Sequence, residues 1–203
     1  MKVIGLTGGI AAGKSQASAM LAELGAVIID ADIVAREIVE KGLPAWQKIK
    51  DEFGEEYLLP NGDINRKKLG ELVFSNANAL DRLNNITHPV IKASIENRIH
   101  HLKVKGYKGL VVVDAALLLE KGWETMVDQV WVVDAPIEKR VERLMARDGL
   151  TRDQALGRIN SQMSQQQRIA KADKIIYNDS DIYSMKEQVQ GIWSLALKEM
   201  HRQ

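Results

Sequence analysis

Hydrophobic residues are concentrated in five short runs that are apolar almost throughout, each bounded by glycine or polar residues. The runs cover 2–6, 26–29, 110–113, 130–133 and 174–177. Because they show no polar face, they predict the strands of a parallel sheet covered on both sides. Apolar residues at three- and four-residue spacing separate the runs and predict helices, for example over 14–24 and from 182 to the end. The alternation predicts an α/β fold with a five-stranded parallel sheet flanked by helices.

The segment 40–108 is rich in helix patterns and poor in strand patterns, so it predicts an insertion between the second and third strands. The proline at position 89 cannot donate a helical hydrogen bond, which predicts an interruption near His88-Pro89. The helices predicted in this segment cover 45–53, 65–74 and 78–105.

The segment 138–172 is polar and arginine-rich and predicts a second insertion. It contains most of a helix that Pro136 opens and that runs to about Asp148. Two further helices are predicted over 151–159 and 162–172. No repeat and no linker-like stretch divides the chain, so we expect one domain, 1–203. Its core is expected to comprise 1–39, 109–137 and 173–203.

The composition constrains partners and compartment. Lys and Arg number 28 and Asp and Glu 27, a net charge of +1 at pH 7, so we expect no nucleic acid partner and no anionic membrane surface. The absence of cysteine excludes disulfides and thiolate metal sites. No run approaches the roughly 18 apolar residues of a membrane span, and the first run is too short for a signal peptide. We therefore expect a cytoplasmic protein without membrane association or an obligate protein partner.

A glycine-rich string connects the first predicted strand to the first predicted helix. It reads Gly8, Gly9, Ile10, Ala11, Ala12, Gly13, Lys14 and Ser15, and Gln16 follows it. Glycines at both ends let the backbone curl so that successive N–H groups face a polyphosphate, and the following helix adds the positive end of its dipole. Lys14 could reach the β- and γ-phosphates of ATP, and the Ser15 hydroxyl could bind Mg²⁺. The alternative is a tight turn with an incidental lysine, but the placement between strand and helix favours nucleotide binding.

Carboxylates follow two of the predicted strands. Asp30 and Asp32 follow the second strand, at the same edge of the sheet as the glycine-rich string. Either could accept a proton from an attacking hydroxyl, help to hold Mg²⁺, or simply cap the next helix, and we choose Asp32 for the chemical role. Asp114 follows the third strand and matches the weak pattern of a second metal-binding aspartate.

Arg140, Arg143 and Arg147 lie three and four residues apart and so share one helix face. Arginines that close over a transferring phosphoryl group stabilise its developing charge. A solvated helix face is the alternative interpretation. His88 precedes a proline, and it could be structural or catalytic.

Taken in order along the chain, these residues resemble the dephospho-coenzyme A kinase family. The matching positions are Gly5 to Ile10, Gly13 to Ser15, Ile29 to Asp32, Arg36, His88 to Ile91, Asp114, Leu117, Leu118, Glu120, Arg143, Arg147, Asp148, Gln162, Ala172, Asp173 and Asn178. The resemblance implies a P-loop kinase fold with a helical acceptor-binding insertion at 40–108 and a mobile lid at 138–172. It implies a transferase that moves the γ-phosphoryl group of ATP, with Mg²⁺, to the ribose 3′-hydroxyl of dephospho-coenzyme A.

The resemblance also implies roles for individual residues. Asp32 matches the proposed base, Asn178 a position near the adenine of ATP, and Arg140 and Arg143 catalytic residues of the lid helix. Contacts with the acceptor are implied for Asp32, Arg36, His88, Leu117 and Gln162.

The sequence departs from the family pattern in the glycine-rich string. Ala11 and Ala12 replace a usual Gly-Ser pair, and alanine tolerates a positive φ poorly. Gln16 replaces a common threonine, Ala116 a usual proline, and Arg140 a common glutamine. Because Lys14, Ser15 and Asp32 are all present, we expect an active enzyme. A related kinase for a nucleoside, nucleotide or shikimate-like acceptor is the alternative, whereas a GTP switch would need a guanine motif that the sequence lacks.

Overall fold

A five-stranded sheet in the order β2-β3-β1-β4-β5 forms the centre of the fold in a computed structural model that describes residues 1–200. β1 pairs in parallel with β3 and with β4, and β4 pairs in parallel with β5. The predicted five-stranded parallel sheet is confirmed. The strands are β1 (Lys2–Gly8), β2 (Val27–Asp30), β3 (Leu110–Asp114), β4 (Gln129–Asp134) and β5 (Lys174–Tyr177).

Helices connect the strands, as the apolar spacing predicts. Short 3-10 turns at Glu55–Tyr57 and Trp123–Met126 supplement them. The helices are α1 (Lys14–Glu23), α2 (Ala31–Glu37), α3 (Pro44–Phe53), α4 (Arg66–Ser75), α5 (Ala77–Val104), α6 (Ile137–Asp148), α7 (Arg152–Asn160), α8 (Gln165–Ile169) and α9 (Ile182–Met200). None of these helices is long and apolar enough to cross a membrane.

The chain forms two compact units. The first comprises 1–29 and the chain from His101 onward, and the second is 30–100. In the first unit a buried apolar cluster that includes Leu6, Leu21 and Trp131 joins residues of the strands to residues of α1 and α9. Between 40 and 100 the second unit contains α3, α4 and most of α5, together with one isolated bridge between Leu58 and Ile64. The finer division into core, acceptor-binding insertion and lid stays a prediction.

The predicted interruption of the long helix at His88-Pro89 is wrong, because α5 continues through Pro89. Proline removes one backbone donor, but its exposed ring lies on the side of α5 that faces away from buried Ile91 and Ile95. The packing of that apolar face offsets the lost hydrogen bond.

The predicted helix over 162–172 is also longer than the helix that forms. Ser164 caps α8, because its Oγ accepts a hydrogen bond from the Gln167 backbone N–H and its own backbone N–H donates to Gln167 Oε1. This cap delays the helix until Gln165 and leaves Gln162 in the bend between α7 and α8.

Candidate active site

The glycine-rich loop begins where β1 meets β4. Gly8 lies opposite Val133, and a Cβ atom at Gly8 would come within 2.6 Å of the Val133 carbonyl oxygen. At the other end of the loop, Gly13 has a φ of 102°, and a Cβ atom there would overlap the Asn178 amide. Glycine is required at both positions, one by close approach and one by backbone conformation.

The departure at Ala11 has a structural cost. Ala11 has a φ of 60°, and it is the only non-glycine residue with a positive φ among residues 1–200. The loop therefore adopts its curled shape despite the alanine. The left-handed conformation costs alanine about 1–2 kcal/mol, because Cβ crowds the following carbonyl oxygen.

Several N–H groups of the loop are available to a ligand. Those of Ala11, Gly13, Lys14 and Ser15 have no hydrogen-bond acceptor within residues 1–200. The last two are the first N–H groups of α1, which no intrahelical carbonyl can satisfy. Free N–H groups at the positive end of a helix form an anion site, and here Lys14 adds a full charge.

Lys14 forms an ion pair with Asp114 at the end of β3. The Asp114 side chain is 5% exposed and that of Lys14 19% exposed. Asp114 ends the strand beside β1, since Leu6 of β1 lies opposite it in the sheet register, and Lys14 begins the helix that follows β1. The Asp114 carboxylate therefore neutralises the charge of Lys14 in this structure.

Arg140 lies against the start of the loop. Its Nε donates to the Ile10 carbonyl at 2.9 Å, and a Cβ atom at Gly9 would come within 2.5 Å of its Nη2. Burial, and secondarily the positive charge of Arg168, lower the pKa of Arg140. Its two Nη atoms have no acceptor in the described part of the chain. Arg140 thus presents unpartnered donors beside Gly9.

Arg143 and Asn178 hold the middle of the loop. Arg143 Nη1 donates to the Ala11 carbonyl at 3.1 Å and to the Ala12 carbonyl at 3.4 Å. Its Nη2 donates to the Asn178 carbonyl at 3.4 Å and to Asn178 Oδ1 at 3.2 Å. Asn178 Nδ2 in turn donates to the Ala12 carbonyl at 2.9 Å and to Gln16 Oε1 at 3.3 Å. Three predicted site residues, Arg143, Asn178 and Gln16, are therefore joined in one network around Ala12.

Gln162 also contacts the loop. Its Oε1 accepts a hydrogen bond from the Ile10 N–H at 2.8 Å. The late start of α8 makes this possible, because Gln162 lies in the connection before the helix. An uncharged side-chain oxygen of the 138–172 segment thus accepts the hydrogen bond of one loop N–H group in this structure.

A buried polar cluster behind Gly9 was not anticipated from the sequence. Asp134, at the end of β4, accepts from Gln165 at 2.7 Å, and burial raises the pKa of Asp134. Arg168 is buried and donates to Glu120 at 2.8 Å, while Arg168 Nε and Glu120 Oε2 have no partner within residues 1–200. The available signal was that Asp134 follows an apolar strand just as Asp114 does.

The remaining predicted residues lie apart from this network. In the first unit, Leu117 is 40% exposed next to fully buried Leu118. In the second unit, Asp30 is the cap of α2, because its Oδ1 accepts from the Asp32 and Ile33 amides at 2.7 and 3.2 Å. The capping alternative thus falls on Asp30, and the exposed carboxylate of Asp32 has no hydrogen bond within the described residues.

Arg36 and His88 belong to the second unit as well. Arg36 is exposed near the end of α2, and its carbonyl accepts from Arg66 Nη2 at 3.1 Å. His88 is half-buried within α5. Their predicted contacts with an acceptor stay predictions.

Comparison with known proteins agrees with this geometry. The family model described as dephospho-CoA kinase matches residues 2–184. A dephospho-CoA kinase of Carboxydothermus hydrogenoformans is 46% identical over 189 residues, which cover 93% of this chain and 91% of that protein. One of Geobacter sulfurreducens is 44% identical over 96% of this chain and 98% of that protein.

Solved structures give the same result. The dephospho-CoA kinase of Campylobacter jejuni superposes with a TM-score of 0.75 at 31% identity, covering 97% of this chain and 98% of that one. A shikimate kinase of Acinetobacter baumannii has a TM-score of 0.55 at 16% identity over 98% of this chain and 94% of that one, and at that identity it shows only the shared fold. With the family match over residues 2–184, these likenesses show that the chain belongs to the dephospho-CoA kinase family.

Proposed function

We propose that this protein transfers the γ-phosphoryl group of ATP to the ribose 3′-hydroxyl of dephospho-coenzyme A, giving coenzyme A and ADP. This is the final step of coenzyme A synthesis. One observation carries the proposal beyond the family match: four unpartnered N–H groups and Lys14 surround the N-terminus of α1. That arrangement suits the β- and γ-phosphates of a nucleotide.

In the transfer, the 3′-oxygen bonds to the γ-phosphorus while the bond from that phosphorus to the β–γ bridging oxygen breaks. We assign the proton of the 3′-hydroxyl to the Asp32 carboxylate, whose exposed side chain carries no competing hydrogen bond within residues 1–200. We assign charge stabilisation on the γ-phosphoryl oxygens to Lys14 and to the free Nη donors of Arg140. Arg36, His88, Leu117 and Gln162 are the proposed acceptor contacts, and they rest on the family resemblance.

The residues present suit Mg²⁺ bound together with ATP. The Ser15 hydroxyl is exposed in the first turn of α1 without a partner in the described chain, and Asp114 supplies a carboxylate on the neighbouring strand. No group of three or more potential ligand side chains gathers within residues 1–200, so the phosphates would have to complete the coordination. When bound, Mg²⁺ would neutralise phosphate charge. A cytoplasmic location stays a prediction.

The direct test is release of ADP measured with dephospho-coenzyme A, shikimate or no acceptor, each with ATP or GTP. We expect turnover with ATP and dephospho-coenzyme A, and loss of at least about 10²-fold in Lys14→Met, because Lys14 contacts the transferring group. Glu138→Gln removes one exposed charge in the first turn of α6 and serves as the matched control. Equal ADP release with and without dephospho-coenzyme A would refute the assigned acceptor.

A further inference from the structure

The backbone at Ala11 adopts an unfavourable conformation. A φ of 60° is unfavourable for alanine, and glycine would adopt it freely. Neither flank of Ala11 belongs to a helix or strand, since β1 ends at Gly8 and α1 begins at Lys14. Some tertiary interaction must therefore offset the cost.

The hydrogen bonds that could do so come from α6. Arg143 donates to the carbonyls of Ala11 and Ala12, which directly follow the strained φ. Rotation of Ala11 back to a negative φ would redirect these carbonyls and break both contacts. The planar guanidinium also reaches Asn178, so the two residues together clamp the Ala12 carbonyl from two directions.

The position of Arg143 is itself fixed by packing. Val141 and Leu144, on the same helix, are fully buried in a cluster with Ala155 of α7. Ala11 packs against this cluster together with Ile10. The alanine methyl group thus gains apolar contacts that glycine would lack, while the nearby arginine fixes its backbone.

We infer that Arg143 is a positioning residue: it holds Ala11 and Ala12 in the nucleotide-binding conformation and so replaces the glycine that this φ favours. This assignment differs from direct contact with the transferring phosphate, and it rests on the proposed binding of ATP. The Nη atoms of Arg143 are engaged by loop carbonyls and Asn178, whereas the Nη atoms of Arg140 have no such partners.

Loss of Arg143 should weaken the binding of ATP by a predictable factor. If the loop loses Arg143, only a fraction of molecules keeps the competent conformation, and the apparent Kd for ATP rises by the inverse of that fraction. The cost of left-handed alanine corresponds to a rise of about five- to thirtyfold. Glycine populates both signs of φ about equally, so in an Ala11→Gly background the loss of Arg143 should raise the apparent Kd for ATP only about twofold.

The experiment is a double-mutant cycle of wild type, Arg143→Met, Ala11→Gly and the double variant. We expect Arg143→Met to raise the Kd and KM for ATP about five- to thirtyfold, with kcat within about threefold of wild type. In the Ala11→Gly background the same substitution should raise these two constants only about twofold. Arg143→Lys should recover only part of the loss, because ammonium cannot bridge both carbonyls and Asn178. Arg152→Met, which removes an exposed arginine of α7, is the matched control and should change neither constant.

A direct phosphate contact predicts different results: equal penalties in both backgrounds, or a fall in kcat with unchanged KM. Either result would overturn the inference. The thermal midpoints of the four proteins without nucleotide provide a measurement that does not depend on ATP binding. A smaller loss from Arg143→Met in the Ala11→Gly background supports the inference even if the assigned substrates are wrong, and equal losses contradict it.

Discussion

Replacement of Asp114 by asparagine tests whether Lys14 exchanges one negative partner for another when a nucleotide binds. In the structure the lysine is paired with a carboxylate that is almost fully buried. Asparagine keeps the shape of the side chain and an acceptor oxygen but removes the charge. The nearly buried ammonium group then lacks a counter-ion until a phosphate group arrives.

The exposure of the Lys14–Asp114 pair sets the expected loss of folding free energy. Removing one partner of a fully buried ion pair costs about 3–5 kcal/mol, because the other charge is left in a low-dielectric environment. Lys14 keeps 19% of its side chain exposed, so water and the asparagine oxygen reduce the expected loss to about 2 kcal/mol. For a chain of this size that corresponds to a lower Tm by about 4–8 °C.

The same free energy should appear as a gain in ATP affinity. ATP no longer has to displace Asp114 from Lys14, so metal-free ATP should bind up to about thirtyfold more tightly to Asp114→Asn than to wild type. If Asp114 also holds Mg²⁺, the gain in ATP affinity on adding Mg²⁺ should be smaller in the variant. These two effects have opposite signs, and titrations with and without a chelator separate them.

Thermal unfolding and calorimetric titration are sufficient for this test. Glu138→Gln is the matched control, because its pair with Arg152 is exposed and worth about 0–1 kcal/mol. It should leave ATP affinity unchanged. A lower Tm in Asp114→Asn without tighter metal-free ATP binding would refute the exchange of partners at Lys14.

Three further predictions concern catalysis and pH. Asp32→Asn should lower kcat by about 10²–10⁴ with little change in ATP affinity, and a retained kcat would exclude the general-base role. Gly9→Ala would bring a methyl group within 2.5 Å of Arg140 Nη2. We expect this methyl group to displace the guanidinium and to lower kcat about 10-fold or more. Gly157→Ala on α7 is the control, because open space surrounds that position, and it should leave kcat unchanged. Burial raises the pKa of Asp134 above its ordinary value of 3.8, so ionisation destabilises the folded state and stability is lost as the pH rises. The wild type should therefore lose stability relative to Asp134→Asn above that pH in denaturant titrations, and a difference independent of pH would contradict this.

Local patterns carried much of the prediction. Fully apolar runs identify the five strands, because a strand covered on both faces has no polar side. The glycine-rich string predicts the curled loop ahead of α1, because close approach at Gly8 and the positive φ of Gly13 both demand glycine. Proline at 89 misled the prediction, since local propensity favours a break and buried packing of α5 overrides it.

The partners of the loop were decided only by the tertiary structure. Lys14 pairs across 100 residues with Asp114, Arg143 across 132 with Ala11, and Gln162 across 152 with Ile10. The sequence by itself determined which residue types could bind a nucleotide and where the strands that carry them lie. It could not determine these contacts, because the strand order brings β3 and β4 to either side of β1 and thereby places distant segments beside one loop. The polar side chains of these distant segments contact the loop only because the strand order brings them beside it.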